Sequence, residues 1–220
     1  MKIVTIVGAR PQFIKAATVS RVISERDDIS EIMIHTGQHF DSNMSDVFFD
    51  ELDISQPDFN LGIGGGTHGE NTGRMIEGIE SALLQEKPDW VIVYGDTDST
   101  LAGALAAVKL HIPLAHVEAG LRSFNRLMPE EINRVLTDHA SNLLFIPTTA
   151  AAINLKNEGI SGEIVKLVGD VMYDATLFFH NLARKPKTVD VLDDAPFILC
   201  TIHRAENTID VVGTECINWL

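Results

Sequence analysis

Glu118, Glu130 and Glu131 fall in one short stretch, "EAGLRSFNRLMPEEINR" (118–134), interleaved with Arg122, Arg126 and Arg134. Carboxylates that converge repel one another, which raises one pKa and divides the group into an acid and a base. Proton transfer is the chemistry such a cluster suits, with the arginines placed to neutralise a glutamate or an anionic substrate. Glu130 and Glu131 follow Pro129 in a helical first turn, where a carboxylate also stabilises the helix dipole. For Glu131 that structural role is the stronger reading, which ranks Glu130 ahead of it as a chemical group.

Other turns carry complementary groups. In "GARPQFIK" (8–15), Arg10 and Lys15 flank the start of a helix whose backbone N–H groups attract anions, so a diphosphate or carboxylate is expected there. A tight turn with surface cations is the competing reading. "TGQHFD" (36–41) adds Gln38 and His39, and "HRAEN" (203–207) adds His203 and Arg204 as phosphate-contacting or general-acid groups. In "GDTDST" (95–100), Asp96 lies nearer the strand end and reads as chemical, whereas Asp98 reads as the N-cap of a helix from about Ser99. A D-x-D pair holding Mg²⁺ on a diphosphate is the alternative; no metal is expected. "GIGGGTHG" (62–69) has the formal dinucleotide spacing at Gly64, Gly66 and Gly69, but it does not follow the first strand. It reads as a mobile loop that brings His68 near a ligand.

These turns need a scaffold, and the hydrophobic pattern supplies one. Apolar runs at 3–7, 32–35, 90–94, 114–117, 143–146 and 164–168 read as buried parallel strands. Segments of helical spacing, at 12–25, 43–52, 70–86, 99–110, 130–142 and 149–158, alternate with them. The fold class expected is a doubly wound α/β parallel sheet. In such sheets ligands bind beyond the carboxyl ends of the strands, where the turns at 8–15, 36–41, 95–100, 118–134 and 203–207 fall. A polar connection at 184–196 leads to one more strand at 197–202.

Composition narrows the partners. The 220 residues carry a formal net charge of −14, which disfavours nucleic acid and anionic membrane. Cys200 and Cys216 make no disulfide framework, and runs such as 90–94 are too short to span a bilayer. A cytoplasmic protein is expected.

Taken together, "GARPQFIKAA", "HTGQHFD", "YGDTDST", "HVEAGLRSFNRLMPEEINR", "VGDVMYDA" and "HRAEN" resemble the non-hydrolysing UDP-N-acetylglucosamine 2-epimerases. The first two are most similar to the branch acting on UDP-2,3-diacetamido-2,3-dideoxyglucuronic acid. The resemblance implies the N-terminal half of a two-domain glycosyltransferase-B type fold. It places a Rossmann-like domain over 1–168 and the start of a second over 169–220. It also implies inversion at C2 of a UDP-sugar by elimination and re-addition of UDP, with no cofactor, and a homodimer when full length. Asp96, Glu118, Glu130 and His203 match the family's catalytic positions. Arg10 and Lys15 match positions near the diphosphate, and Gln38, His39, Arg122, Arg134 and Arg204 complete the expected substrate-binding set. The chain stops at Leu220, soon after the strand at 197–202, so a fragment with half of a two-walled site is expected. Activity is not expected from these residues alone. A glycosyltransferase of similar fold, using Asp96 and Asp98 on a metal, is the alternative.

Overall fold

The computed structural model describes residues 1–38 and 56–183. His39, the helix expected at 43–52, the connection at 184–196 and the strand with His203 and Arg204 lie outside the described residues.

Among the described residues, seven parallel strands form one sheet: β1 (Lys2–Val7), β2 (Ser30–His35), β3 (Phe59–Asn60), β4 (Trp90–Tyr94), β5 (Leu114–Val117), β6 (Leu143–Ile146) and β7 (Val165–Leu167). Their order is β3-β2-β1-β4-β5-β6-β7. The helices between and after them are α1 (Arg10–Ser24), α2 (His68–Glu86), α3 (Asp98–Lys109), α4 (Pro129–Ala140), α5 (Thr149–Asn157) and α6 (Val171–Phe179).

Strand side chains alternate between faces, so a sheet covered on both sides needs apolar residues at every position. The central strands meet that need apart from buried Thr5 in β1 and His116 in β5. Val4 and Ile6 of β1, with Val91 and Val93 of β4, join a core formed with Met75, Ile79 and Leu83 of α2 and the alanines of α3. Ile3 and Val7, with Ile92 and Tyr94, enter the opposite core, where α1 contributes Phe13, Ala16, Ala17 and Ile23. Full burial of each such aliphatic side chain contributes about 1.5–3 kcal/mol. The doubly wound α/β class therefore holds. The compact unit runs from Met1 to Asn181. Among the described residues, no helix is long and apolar enough to cross a membrane.

Three local features differ from the sequence reading. β3 is two residues long, too short to show any period, and pairs beside β2. α6 is capped by Asp170, which accepts from the Met172 N–H at 2.8 Å, and packs on α1 with Arg21 3.4 Å over the Phe178 ring. Its "VMYDATLFF" is apolar over most of its length, so no amphipathic period marks it. Finally, Asp98 is not the N-cap of α3. Thr97 takes that place, its hydroxyl accepting from the Thr100 N–H, and Asp98 becomes the first helical residue with other partners.

Candidate functional site

The strand order reverses direction between β1 and β4, which opens a crevice at their carboxyl ends. Gly8 to Arg10 leave β1 there, and Gly95 and Asp96 leave β4. Gly8 is required by close approach: a Cβ on it would lie 2.1 Å from both Ser99 Oγ and Thr36 Oγ1. Those hydroxyls bond each other at 2.8 Å, tying the end of β2 to the start of α3. The side chain of Gln12 folds back beneath the turn and accepts from the N–H groups of Gly8 and Ala9 at 2.8 and 3.0 Å. Its amide donates to the Tyr94 carbonyl and to Thr100 Oγ1. These bonds close the turn that leads from β1 into α1.

Lys15 is buried in α1 and pairs with Glu118 at the end of β5, 103 positions away. The Glu118 backbone has φ 71°, a left-handed conformation that costs a non-glycine residue about 1–3 kcal/mol. It is held there because the N–H groups of Glu118 and Ala119 both donate to the Phe145 carbonyl, at 3.0 Å each. The second pair joins Arg134 of α4 to Asp96. Arg134 also reaches Glu131 at 3.3 Å, and its buried Nε has no hydrogen-bond partner among the described residues. Asn133, one residue earlier, donates to the Asp96 carbonyl and to Asp98 Oδ1, both at 3.0 Å. Two carboxylates thus sit at the crevice, each against its own cation.

A buried chain of polar groups lies beneath them. His116, in β5, has Nε2 2.7 Å from the Gly95 carbonyl and Nδ1 2.7 Å from Asp138 Oδ1. Asp138 also accepts from the Gly120 N–H and from Arg122. Burial alone would raise the Asp138 pKa; the hydrogen bond and charge of His116, with those of Arg122, outweigh it and hold that pKa low. Arg122 continues to Glu158 through two hydrogen bonds of 2.7 and 2.8 Å, and its own carbonyl neighbour Leu121 accepts a third bond. Burial works against the guanidinium's charge, yet Glu158 and Asp138 raise its pKa. The same bond to Arg122 lowers the Glu158 pKa. This chain clamps the turn after β4 to the turn after β5, the two turns that carry Asp96 and Glu118.

The family description UDP-N-acetylglucosamine 2-epimerase matches residues 21–218. The chain belongs to that family. It is 60% identical over 219 residues to the UDP-2,3-diacetamido-2,3-dideoxy-D-glucuronate 2-epimerase of Pseudomonas aeruginosa, covering 99% of this chain and 61% of that protein. The structure of the Methanocaldococcus jannaschii UDP-GlcNAc 2-epimerase in complex with UDP-GlcNAc and UDP is 52% identical. It superposes with a TM-score of 0.83 over 87% of this chain and 53% of its own. A Listeria monocytogenes protein described as a UDP-N-acetylglucosamine 2-epimerase has a TM-score of 0.88 at 34% identity, over 94% of this chain and 55% of its own. The chain thus spans little more than half the length of the relatives it matches. Its sheet and helices correspond to the N-terminal half of their glycosyltransferase-B type fold.

Within this epimerase domain the expected residues divide into groups. Lys15, Asp96, Glu118 and Arg134 are joined in ion pairs at the crevice. Arg10 and Glu130 are exposed at the starts of α1 and α4. Gln38 places Oε1 on Ser99, accepting from its N–H and hydroxyl at 3.1 and 2.6 Å. Arg122 is a different case: its side chain is 1% exposed and bonds to Asp138, Glu158 and Leu121 within the domain. Glu131 accepts from the N–H groups of Ser123 and Phe124, each at 2.9 Å, and so shapes the 121–128 loop. Gln12, His116, Asn133 and Asp138 escaped the sequence reading. His116 left one signal, a polar residue inside the otherwise apolar strand "LAHV".

Proposed function

We propose that the protein inverts C2 of a UDP-linked 2-acetamido sugar, converting UDP-N-acetylglucosamine to UDP-N-acetylmannosamine for cell-surface polysaccharide precursors. The observation that carries this reading is the presence of two carboxylate–cation pairs, Glu118 with Lys15 and Asp96 with Arg134, on the turns beside the switch point of the sheet. In this reading a carboxylate takes the C2 proton while the C1–O bond breaks, its electron pair leaving with UDP. A C1–C2 double bond forms; UDP then adds back at C1 as a proton returns to the other face of C2. Lys15, Arg134 and Arg10 supply positive charge where the diphosphate leaves, which is where electrostatic stabilisation acts on the barrier. Glu130 is assigned a catalytic role with Asp96 and Glu118, and Arg122 a positioning one. His203, His39 and Arg204 are assigned to the site on the family resemblance alone.

The 60% identity to the Pseudomonas aeruginosa protein favours a second substrate, UDP-2,3-diacetamido-2,3-dideoxyglucuronic acid, through the same chemistry. The family resemblance supports a homodimer, and the use of only two cysteines supports a cytoplasmic location. Product analysis by NMR tests the reaction with a full-length protein carrying these residues. Reversible formation of the C2 epimer is expected. Release of the free sugar and UDP would mark a hydrolase, and turnover only with added Mg²⁺ or Mn²⁺ and a sugar acceptor would mark a glycosyltransferase.

A further inference from the structure

His68 is the residue of the glycine-rich segment that the site described above does not use. It is the first residue of α2, directly after the N-cap Thr67, and its side chain is 73% exposed. The segment before it is anchored at two places. The Ile63 N–H donates to the Thr36 carbonyl at 2.8 Å, and Asn71 bonds both the N–H and the carbonyl of Gly66. Nδ1 of His68 lies 2.8 Å from Oδ2 of Asp98.

Asp98 is the informative partner. Its side chain is only 11% exposed, and its other oxygen accepts from Asn133, the residue that also holds the Asp96 carbonyl. A buried carboxylate is costly unless its acceptors are used. Here one oxygen is used inside the domain and the other on an exposed imidazole. A carboxylate on Nδ1 places a proton there, so Nε2 is the nitrogen that faces outward. Asp98 thereby sets both the tautomer and the direction of the ring, and Asn133 ties the same carboxylate to the Asp96 carbonyl. Gln38 reaches the same first turn of α3 through Ser99.

We infer that His68, aimed by Asp98, binds an oxyanion of the nucleotide sugar through Nε2. This rests on the functional reading above and adds a residue to it. With Nδ1 on Asp98 and Nε2 on the ligand, the ring donates to an acceptor at each nitrogen and takes up a second proton on binding. Two substrate groups offer that chemistry: the diphosphate, present in every UDP-sugar, and the C6 carboxylate of a uronic acid. In the second case His68 distinguishes a uronate sugar from N-acetylglucosamine.

The test follows the imidazole nitrogens of a ¹⁵N-labelled full-length protein carrying these residues by NMR, with His68 assigned by its disappearance in His68→Gln. Without ligand, His68 is expected to carry its proton on Nδ1, and Asp98→Asn to abolish that preference. A His68 protonated on Nε2 alone would overturn the inference at once. UDP, UDP-N-acetylglucosamine and UDP-glucuronic acid are then added separately. A shift of Nε2 towards its protonated position with all three assigns the diphosphate; a shift with UDP-glucuronic acid alone assigns the carboxylate. In either case His68→Gln is expected to weaken the effective ligand about tenfold, in keeping with one charge-assisted hydrogen bond. If the Gly95 and Lys15 signals respond to ligand while His68 does not, the inference fails and the functional reading stands. If no signal responds to any of the three, both fail.

Discussion

Lys15 and Glu118 form an ion pair across the switch point, with Gly95 packed against both. A Cβ on Gly95 would lie 3.0 Å from Lys15 Nζ and 3.3 Å from Glu118 Oε2, and the Gly95 backbone has φ 64°. The turn after β4 is therefore shaped around a carboxylate from the turn after β5. Because the pair acts as a unit, its two halves should not contribute additively. In a full-length protein, Glu118→Gln is expected to lower kcat about 10²- to 10⁴-fold, the range for a general acid or base. Lys15→Met should cost a comparable factor, and the double variant far less than the product of the two. A double-mutant cycle on kcat measures this, and full additivity would contradict it.

Glu130 and Glu131 adjoin in sequence and separate in role. Glu131 is 3% exposed and accepts from two backbone N–H groups; those bonds outweigh burial and keep its pKa low. Glu131→Gln is expected to cost about 1.5–3 kcal/mol in urea unfolding, the scale of hydrogen bonds to a charged group. Glu130 is exposed, so Glu130→Gln should change stability by no more than about 0.5 kcal/mol while still lowering turnover.

Gly8→Ala tests the close packing under the opening turn. The added methyl meets the Thr36 and Ser99 hydroxyls, and a strain cost of about 1–3 kcal/mol is expected. Because those hydroxyls tie β2 to α3, the measurement is urea unfolding with ligand absent. A stability equal to the parent chain would show that the turn yields more readily than its geometry implies.

The buried Asp138 gives a pH signature. Its pKa is depressed in the folded chain, so the stabilisation is complete above the unfolded value, near pH 4, and is lost as pH falls through the lower folded value. Asp138→Asn removes one partner from buried His116 and Arg122, and should cost about 3–5 kcal/mol at pH 7. The variant's stability should also fall less steeply than the parent's below about pH 4. Unfolding free energies at pH 7 and at lower pH, for both chains, check the sign.

The sheet was legible because its central strands bury both faces, so continuous apolar runs marked β1, β4 and β5 almost to the residue. β3 was not, since two residues carry no period, and α6 was not, since its apolar run hides the helical one. Asp96 and Glu118 were legible as polar residues just beyond the ends of β4 and β5. What holds them was not: Gln12, Asn133 and Asp138 sit on helices, and only three-dimensional proximity joins them to turns far away in sequence. The cap at Thr97 shows the finer limit. Thr and Asp are both good caps, and spacing alone does not say which hydroxyl or carboxylate faces the free N–H.

Solvent exchange at C2 reads the proposed proton abstraction itself. A full-length protein carrying these residues is incubated with UDP-N-acetylglucosamine in deuterated water, and C2 is followed by NMR. Deuterium is expected at C2 of the recovered nucleotide sugar, together with its epimer, and both signals are expected to be lost in Glu118→Gln. Epimer formed with the original hydrogen retained at C2, or no change in the sugar at all, would contradict it.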